Sequence, residues 1–177
     1  MLRRNLNSSG ILLFDYQKTL QQKNCRLGKE KYMKMNYDIV KAKKILKDGG
    51  YTCVLVKGEN IYTSTDRGVK PLLNWLDEKN DIKDCSAADK VIGKAAAFIY
   101  VLLGVKAVYA FVISNPALEV FKKYGVDVSF EEKVDMIRNR TNTGYCPMEQ
   151  ATMSVFAPKE ALISIKKTLK KLEAEKL

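Results

Sequence analysis

One polar segment of the chain gathers the side chains best suited to bind an anion. Its fixed positive charges are Arg138 and Arg140, its hydroxyl groups are those of Thr141 and Thr143, and Gly144 permits close approach of the backbone. Proteins commonly bind oxyanions through such combinations of guanidinium groups and exposed backbone amides. The segment therefore predicts a binding site for a phosphate or a carboxylate.

The same segment continues into a predicted helix that begins at Cys146-Pro147. The unpaired amides at the beginning of a helix favour an anion in front of them, which supports the binding interpretation. A structural explanation fits the same residues, because proline is common at the first helical position and glutamate suits the first turn. Pro147 and Glu149 would then only stabilise the helix, and both interpretations stay open at this point.

Cys146 is a candidate nucleophile. A thiol at a helix N-terminus close to arginines is favoured as the reactive thiolate, and Asp89 or Glu149 would then act as the acid or base. The chain has no histidine that could activate the thiol. The alternative is that Cys146 is an ordinary small structural residue.

A second group of candidates precedes the most apolar part of the chain. Ser86 is a favourable N-cap, and the spacing predicts a helix that begins there with Asp89 at its third position. Lys90 and Lys94 follow within this helix, and Lys94 must either extend to solvent or reach an anion in a pocket. The alternative is that Asp89 caps the helix while both lysines are partly exposed.

The elements around these candidates predict a buried helix followed by a buried strand. The helix ends at Gly104, a favourable C-terminal cap, and residues 105–113 have the apolar, β-branched composition of a strand covered on both faces.

Residues 95–113 are long enough to be considered as a membrane span, but Gly104 and Lys106 lie near its middle. We therefore predict that this part of the chain does not cross a membrane.

Helix and strand signals alternate along the rest of the chain. A helical pattern over 39–46 precedes a hairpin that turns at Gly58-Glu59, and further helices are predicted to begin near Pro71, Pro116 and Pro158. Residues 126–134 predict another strand. This order predicts an α/β protein, a three-layer α-β-α sandwich with a mixed sheet.

The positive charge of the chain is unevenly distributed. The net charge is +11, and residues 1–34 carry eight lysines and arginines against two acidic residues. We predict that residues 1–34 are a disordered or misannotated N-terminal extension and that residues 35–177 form a single domain. Because that domain is only mildly basic, a nucleic acid is not the favoured partner, although a nucleic-acid-binding or interaction module remains an alternative.

Cysteine and histidine usage restricts the chemistry. The four cysteines are widely spaced and form no CxxC pair. Together with the lack of histidine, this excludes the common zinc patterns, so neither a metal nor another cofactor is predicted. No segment resembles a secretory signal peptide, which favours a cytoplasmic location with reduced thiols.

Four motifs suggest a family when they are taken together. They are Arg67-Gly-Val-Lys-Pro-Leu-Leu, Ala88-Asp-Lys-Val-Ile-Gly-Lys-Ala-Ala-Ala, Val112-Ile-Ser-Asn-Pro-Ala-Leu-Glu and Asn139-Arg-Thr-Asn-Thr-Gly-Tyr-Cys-Pro-Met-Glu. In this combination the chain resembles a prokaryotic family of unknown function whose members have a cytidine-deaminase-like fold. The resemblance extends over roughly residues 35–173 and implies that fold without implying an activity.

The resemblance also permits a comparison with the deaminase zinc signature, H-x-E followed by P-C-x-x-C. Ala87-Ala88-Asp89 stands where H-x-E is expected, and residues 116–120 stand where P-C-x-x-C is expected. Ala87, Ala117 and Val120 cannot bind zinc. The resemblance therefore implies a protein without zinc-dependent deamination, and whether it catalyses any reaction stays open.

These observations favour one functional hypothesis over the others. We expect a small anionic, nucleotide-like ligand to bind between the beginning of the central helix and residues 141–149. The rival hypotheses are an enzyme that depends on Cys146 and a nucleic-acid-binding or interaction module.

Overall fold

Helices and strands alternate along the part of the chain that the computed structural model describes, residues 37–78 and 82–175. The predicted extension over residues 1–34 lies outside this part. Residues 37–48 form helix α1, and the elements that follow it are β1 (Cys53–Lys57), β2 (Asn60–Ser64), α2 (Lys70–Asp77), β3 (Ser86–Ile92), α3 (Lys94–Leu103), β4 (Ala107–Ser114), α4 (Asn115–Tyr124), β5 (Asp127–Val134), α5 (Pro147–Thr152) and α6 (Pro158–Ala174).

The strands form a mixed sheet in the order β2-β1-β3-β4-β5. Strand β1 is antiparallel to both β2 and β3, whereas β3, β4 and β5 are parallel to one another. Gly58-Glu59 form the two-residue turn of the β1-β2 hairpin, and Gly58 has a φ of 61°, which glycine adopts without strain. The predicted hairpin and the predicted mixed sheet are both confirmed.

Helices cover the two faces of this sheet. On one face, Ala42 and Leu46 of α1 pack against Val54 and Val56 of β1. On the other face, α3 lies at the centre of the helical layer and contacts α2, α4, α5 and α6. Burial of the apolar side chains between these layers is the main source of stability. The arrangement confirms the predicted three-layer sandwich.

The prediction of a helix beginning at Ser86 is wrong. Ser86–Ile92 form strand β3 between β1 and β4, and helix α3 begins only at Lys94. Local signals favoured a helix because serine caps helices and alanine is the best helix former. Pairing with a strand on each side and complete burial of Ala87 and Ala88 outweigh that propensity.

The remaining boundaries follow their local signals closely. Helix α3 ends at Gly104 as predicted, with a φ of 72°. Helix α4 begins after Ser114, whose hydroxyl oxygen accepts a hydrogen bond from the Ala117 amide, and it ends at Gly125. Within the described ranges, the structure contains no helix that is both long and apolar enough to cross a membrane.

Candidate functional site

One edge of the sheet collects the beginnings of two helices. Because β3, β4 and β5 are parallel, their carboxyl ends meet at this edge, where α3 begins after β3 and α4 begins after β4. Ligands of open α/β sheets bind at the carboxyl ends of the strands. The chain that leaves β5 returns to the same place, since Ile137 and Glu149 both lie against Gly93, the residue before α3.

Lys94 attaches this returning segment at two points. Its backbone N–H donates a hydrogen bond of 2.8 Å to Oε2 of Glu149, and its Nζ donates one of 2.7 Å to the carbonyl oxygen of Met153. The first bond reaches the middle of α5 and the second reaches the residue that follows α5. A single residue at the beginning of α3 therefore binds α5 through both its main chain and its side chain.

Glu149 is buried at this contact with only one of its carboxylate oxygens bound. Its side chain is about 1% exposed, and Oε1 has no hydrogen-bond partner within the described part of the chain. A Cβ atom placed on Gly93 would lie 2.0 Å from Oε2 of Glu149. Gly93 has an ordinary φ of −97°, so the glycine is required by the close approach of the carboxylate rather than by the backbone conformation.

The ammonium group of Lys94 also lies in a groove between α3 and α4. The groove is open to solvent, has a volume of about 110 Å³, and is lined by Lys94 and Phe98 of α3, Glu119 and Lys123 of α4, and Phe156. Nζ of Lys94 lies 5.9 Å from the ring centre of Phe98 and 5.2 Å from that of Phe156. Burial lowers the pKa of Lys94, while Glu119 and Glu149 oppose this shift.

Asp89 occupies a different environment, inside the core. It lies on β3, where its Oδ2 accepts a hydrogen bond of 2.6 Å from the hydroxyl of Tyr100 and its Oδ1 accepts one of 3.0 Å from the Val91 amide. Burial raises the pKa of Asp89 to about 6, although these hydrogen bonds oppose the shift. The prediction that Asp89 sits at the third position of a helix is therefore wrong, because β3 continues through this residue.

Cys53 lies opposite Asp89 in the register of β1 with β3. Burial raises the pKa of its thiol, and the negative charge of Asp89 raises it further. The pKa of Tyr100 is raised for the same two reasons. Cys53, Asp89 and Tyr100 thus form a buried polar cluster. Burial favours the protonated, uncharged form of each of these side chains.

The predicted anion-binding loop forms a small exposed hairpin. Arg138 and Tyr145 form an isolated antiparallel bridge, and the Arg138 guanidinium donates to the side chain and carbonyl of Asn142. The hydroxyl groups of Thr141 and Thr143 bond to each other. These bonds determine the shape of the loop itself.

Asn139 organises the same loop, since its Oδ1 accepts from the amides of Thr143 and Gly144. Arg140 and Lys90 are both exposed, the first in this loop and the second on β3. Lys90 is therefore exposed to solvent, whereas Asp89 and Lys94 are buried.

Cys146 is half-buried and is the N-cap residue of α5. The two carboxylates proposed to assist it have other partners, since Asp89 is bound by Tyr100 and Glu149 is bound by the Lys94 amide. Across residues 37–78 and 82–175, no group of three or more acidic or cysteine side chains could hold a metal ion.

Three residues of these sites were not predicted from the sequence, namely Lys123, Phe156 and Tyr100. A signal for the α4 face was present, because Pro116, Glu119, Val120 and Lys123 recur at helical spacing and all line the groove. Phe156 carried no such signal, because it lies in the connection between α5 and α6. Tyr100 reaches Asp89 only through the packing of α3 on β3.

The fold and this site define a three-layer α/β domain with a candidate ligand site at the beginning of α3. The chain belongs to the family described as "TM1506: Domain of unknown function (DUF1893)", whose sequence model matches residues 41–169. The match confirms the expected membership of a family of unknown function.

Two solved structures illustrate what the chain is similar to. The crystal structure of a DUF1893 family protein (TM1506) from Thermotoga maritima matches with 27% identity and a TM-score of 0.68, over 76% of this chain and 90% of that chain. A diaminohydroxyphosphoribosylaminopyrimidine deaminase/5-amino-6-(5-phosphoribosylamino)uracil reductase from Thermotoga maritima matches with 15% identity and a TM-score of 0.35, over 58% of this chain and 37% of that chain. The second match is too weak to support an argument about function. No curated protein matches the chain significantly.

Proposed function

We propose that the protein binds a small anionic, nucleotide-like ligand in the groove between α3 and α4, without zinc-dependent deamination. The observation that carries this proposal is the position of the Lys94 ammonium, which lies against the rings of Phe98 and Phe156 in a groove that also contains Lys123. A partly desolvated cation at the bottom of an open groove favours a ligand of negative charge.

The hydrogen-bonding capacity of the two lysines also favours a negatively charged ligand. Nζ of Lys94 donates to Met153 and Nζ of Lys123 donates to the carbonyl of Phe156. An ammonium group has three donors, so each lysine retains donors for a phosphate or carboxylate oxygen. Glu119 is the carboxylate that lines the groove beside these two lysines, and Glu149 also acts on the charge of Lys94.

The aromatic rim supports a planar ligand. Phe156 is 69% exposed and lies at the mouth of the groove. Stacking of a nucleic-acid base on an exposed aromatic ring contributes roughly 1–3 kcal/mol. The volume of about 110 Å³ is below the roughly 150 Å³ of an apolar cavity known to hold benzene. We therefore propose that the anionic group of the ligand lies in the groove and that the ring of the ligand stacks on the face of Phe156.

The exposed hairpin is proposed as an outer contact of the same ligand. Ile137 packs against Gly93, so the hairpin that follows it begins beside the start of α3. The hairpin keeps its predicted role as a second source of positive charge and hydrogen-bond donors. The residues concerned are Arg138, Arg140, Thr141, Thr143 and Gly144.

The proposal is tested by calorimetric titration of the full-length chain with nucleoside monophosphates, the parent nucleosides and inorganic phosphate. Lys94→Met and Lys123→Met are expected to weaken nucleotide binding roughly tenfold each, because each removes a charge-assisted hydrogen bond. Lys122→Met is the matched control, since Lys122 is the exposed neighbour of Lys123 on α4 and does not line the groove. Equal affinities in the Lys94 and Lys122 variants, or no binding of any anion, would contradict the proposal.

A further inference from the structure

The N-terminus of α3 binds a carboxylate of the chain itself. Lys94 is the first residue of this ten-residue helix, and its amide donates to Oε2 of Glu149, which comes from the separate helix α5. The unpaired amides and the dipole at a helix N-terminus favour a negative charge at this place. Glu149 thus lies where an external oxyanion would be stabilised.

Glu149 accepts fewer hydrogen bonds than a buried carboxylate can. A carboxylate can accept about four hydrogen bonds. Here Oε1 is buried and has no partner among the described residues. Burial of a charged oxygen without a donor opposes the bound position. The observed contact is therefore one that a better-satisfied anion could replace.

Gly93 gives the site room for an oxyanion. A Cβ atom at this position would overlap Oε2 of Glu149 at 2.0 Å, although the backbone conformation accepts any residue. The missing side chain therefore leaves a space the size of one carboxylate oxygen next to the Lys94 amide. A side chain at residue 93 would therefore close the site.

The attachment of Glu149 is also local. It lies on α5, a helix of six residues in which Glu149 and Thr152 are the buried side chains. Cys146, the residue before this helix, is half-buried, whereas Tyr145 and Met153 are exposed. Moving Glu149 out of the site therefore requires displacement of one short helix from α3 and α6, with loss of the Lys94–Met153 hydrogen bond, but does not disrupt the sheet.

We propose that the N-terminus of α3 is an oxyanion-binding site and that Glu149 is its displaceable internal ligand. A carboxylate or phosphate group of an external ligand takes the place of Glu149 when α5 moves away. The site uses the Lys94 amide and the space at Gly93 and does not require Lys123, whereas the Lys94 side chain restrains α5 through its bond to Met153.

The proposal is tested by thermal unfolding of full-length Glu149→Ala in formate, in inorganic phosphate and in chloride of equal ionic strength. Saturable stabilisation by about 3 °C or more is expected with at least one oxyanion, and none is expected with chloride. Stabilisation by formate indicates a carboxylate site, and stabilisation by phosphate indicates a phosphate site. Equal melting temperatures in all three salts would overturn the proposal.

A double variant shows whether the stabilising ion occupies the proposed place. Gly93→Ala added to Glu149→Ala is expected to abolish the effect, because the new Cβ fills the oxyanion position. Stabilisation that persists in the double variant would overturn the assignment. Glu149→Ala and the double variant are both compared in a Lys123→Met background, because this change weakens anion binding in the groove and so separates that site from this one.

Hydrogen exchange of the wild-type chain supplies a second test that requires no substitution. Saturating phosphate or formate is expected to accelerate amide exchange across α5 relative to chloride, while exchange in α6 stays constant. If oxyanions leave α5 exchange unchanged and Glu149→Ala does not fold, the proposal is overturned, because Glu149 is then a fixed part of the structure.

Discussion

Two buried carboxylates, Asp89 and Glu149, differ in how completely they are bound. Asp89 lies on an inner strand, and both of its oxygens accept hydrogen bonds, from the Tyr100 hydroxyl and the Val91 amide. Glu149 lies on a short helix that packs on α3 and α6, and only one of its oxygens is bound, by the Lys94 amide. Burial alone therefore does not identify a functional carboxylate.

The difference lies in what must move to release each group. Asp89 is held by strand pairing on both sides and by the packing of α3, so its release requires loss of the core. Glu149 is held through one backbone hydrogen bond and the packing of α5. The first carboxylate is expected to govern the pH dependence of stability, and the second to govern access to the ligand site.

The largest expected effect concerns the pH dependence caused by Asp89. Burial raises its pKa from 3.8 to about 6, so the folded state binds the proton more tightly than the unfolded state. Stability is therefore full below pH 4 and is lost as the pH rises through 6, by about 3 kcal/mol. Asp89→Asn removes this loss, and urea unfolding at pH 4 and pH 7 measures it. Parallel pH profiles of wild type and variant would show that Asp89 is not the titrating group.

A smaller effect is expected at the other carboxylate. Gly93→Ala places a Cβ 2.0 Å from Oε2 of Glu149 and is expected to destabilise the protein by about 2 kcal/mol. In a Glu149→Ala background the same change is expected to cost less than half as much, because the overlapping oxygen is gone. Urea unfolding of the four chains gives this coupling, and additive effects would mean that Gly93 and Glu149 do not interact.

The smallest of the three effects concerns the hydroxyl group that binds Asp89. Tyr100→Phe leaves the ring packed and removes one hydrogen bond to a charged acceptor, at a cost of about 1.5 kcal/mol at pH 7. The cost is expected to be lower at pH 4, where Asp89 is protonated. An equal loss at the two pH values would indicate that the hydroxyl contributes through packing alone.

Much of the fold follows from signals that lie close together in the sequence. Gly58-Glu59 between two apolar runs predicted the hairpin, Pro116 predicted the start of α4, and Gly104 predicted the end of α3. These signals are reliable because capping and turn formation depend on a few neighbouring residues.

Strand β3 could not be predicted in the same way. Ser86 to Ala88 have local preferences for a capped helix, and only the pairing with β1 and β4 makes them a strand. The expected pocket placed residue 149 near a central helix predicted to begin at Ser86, whereas Glu149 contacts the Lys94 amide, where α3 begins. The role of this contact in ligand binding stays a prediction. The groove was missed because Lys123 and Phe156 join Lys94 only through the packing of α4 and the α5-α6 connection.

Backbone amide NMR of the full-length chain tests most directly whether ligands bind at the beginning of α3. On titration with a nucleoside monophosphate, the largest chemical-shift changes are expected at Lys94, at Phe156 and across α5. Changes confined to α1 and the exposed hairpin, or no change at millimolar ligand, would contradict the claim.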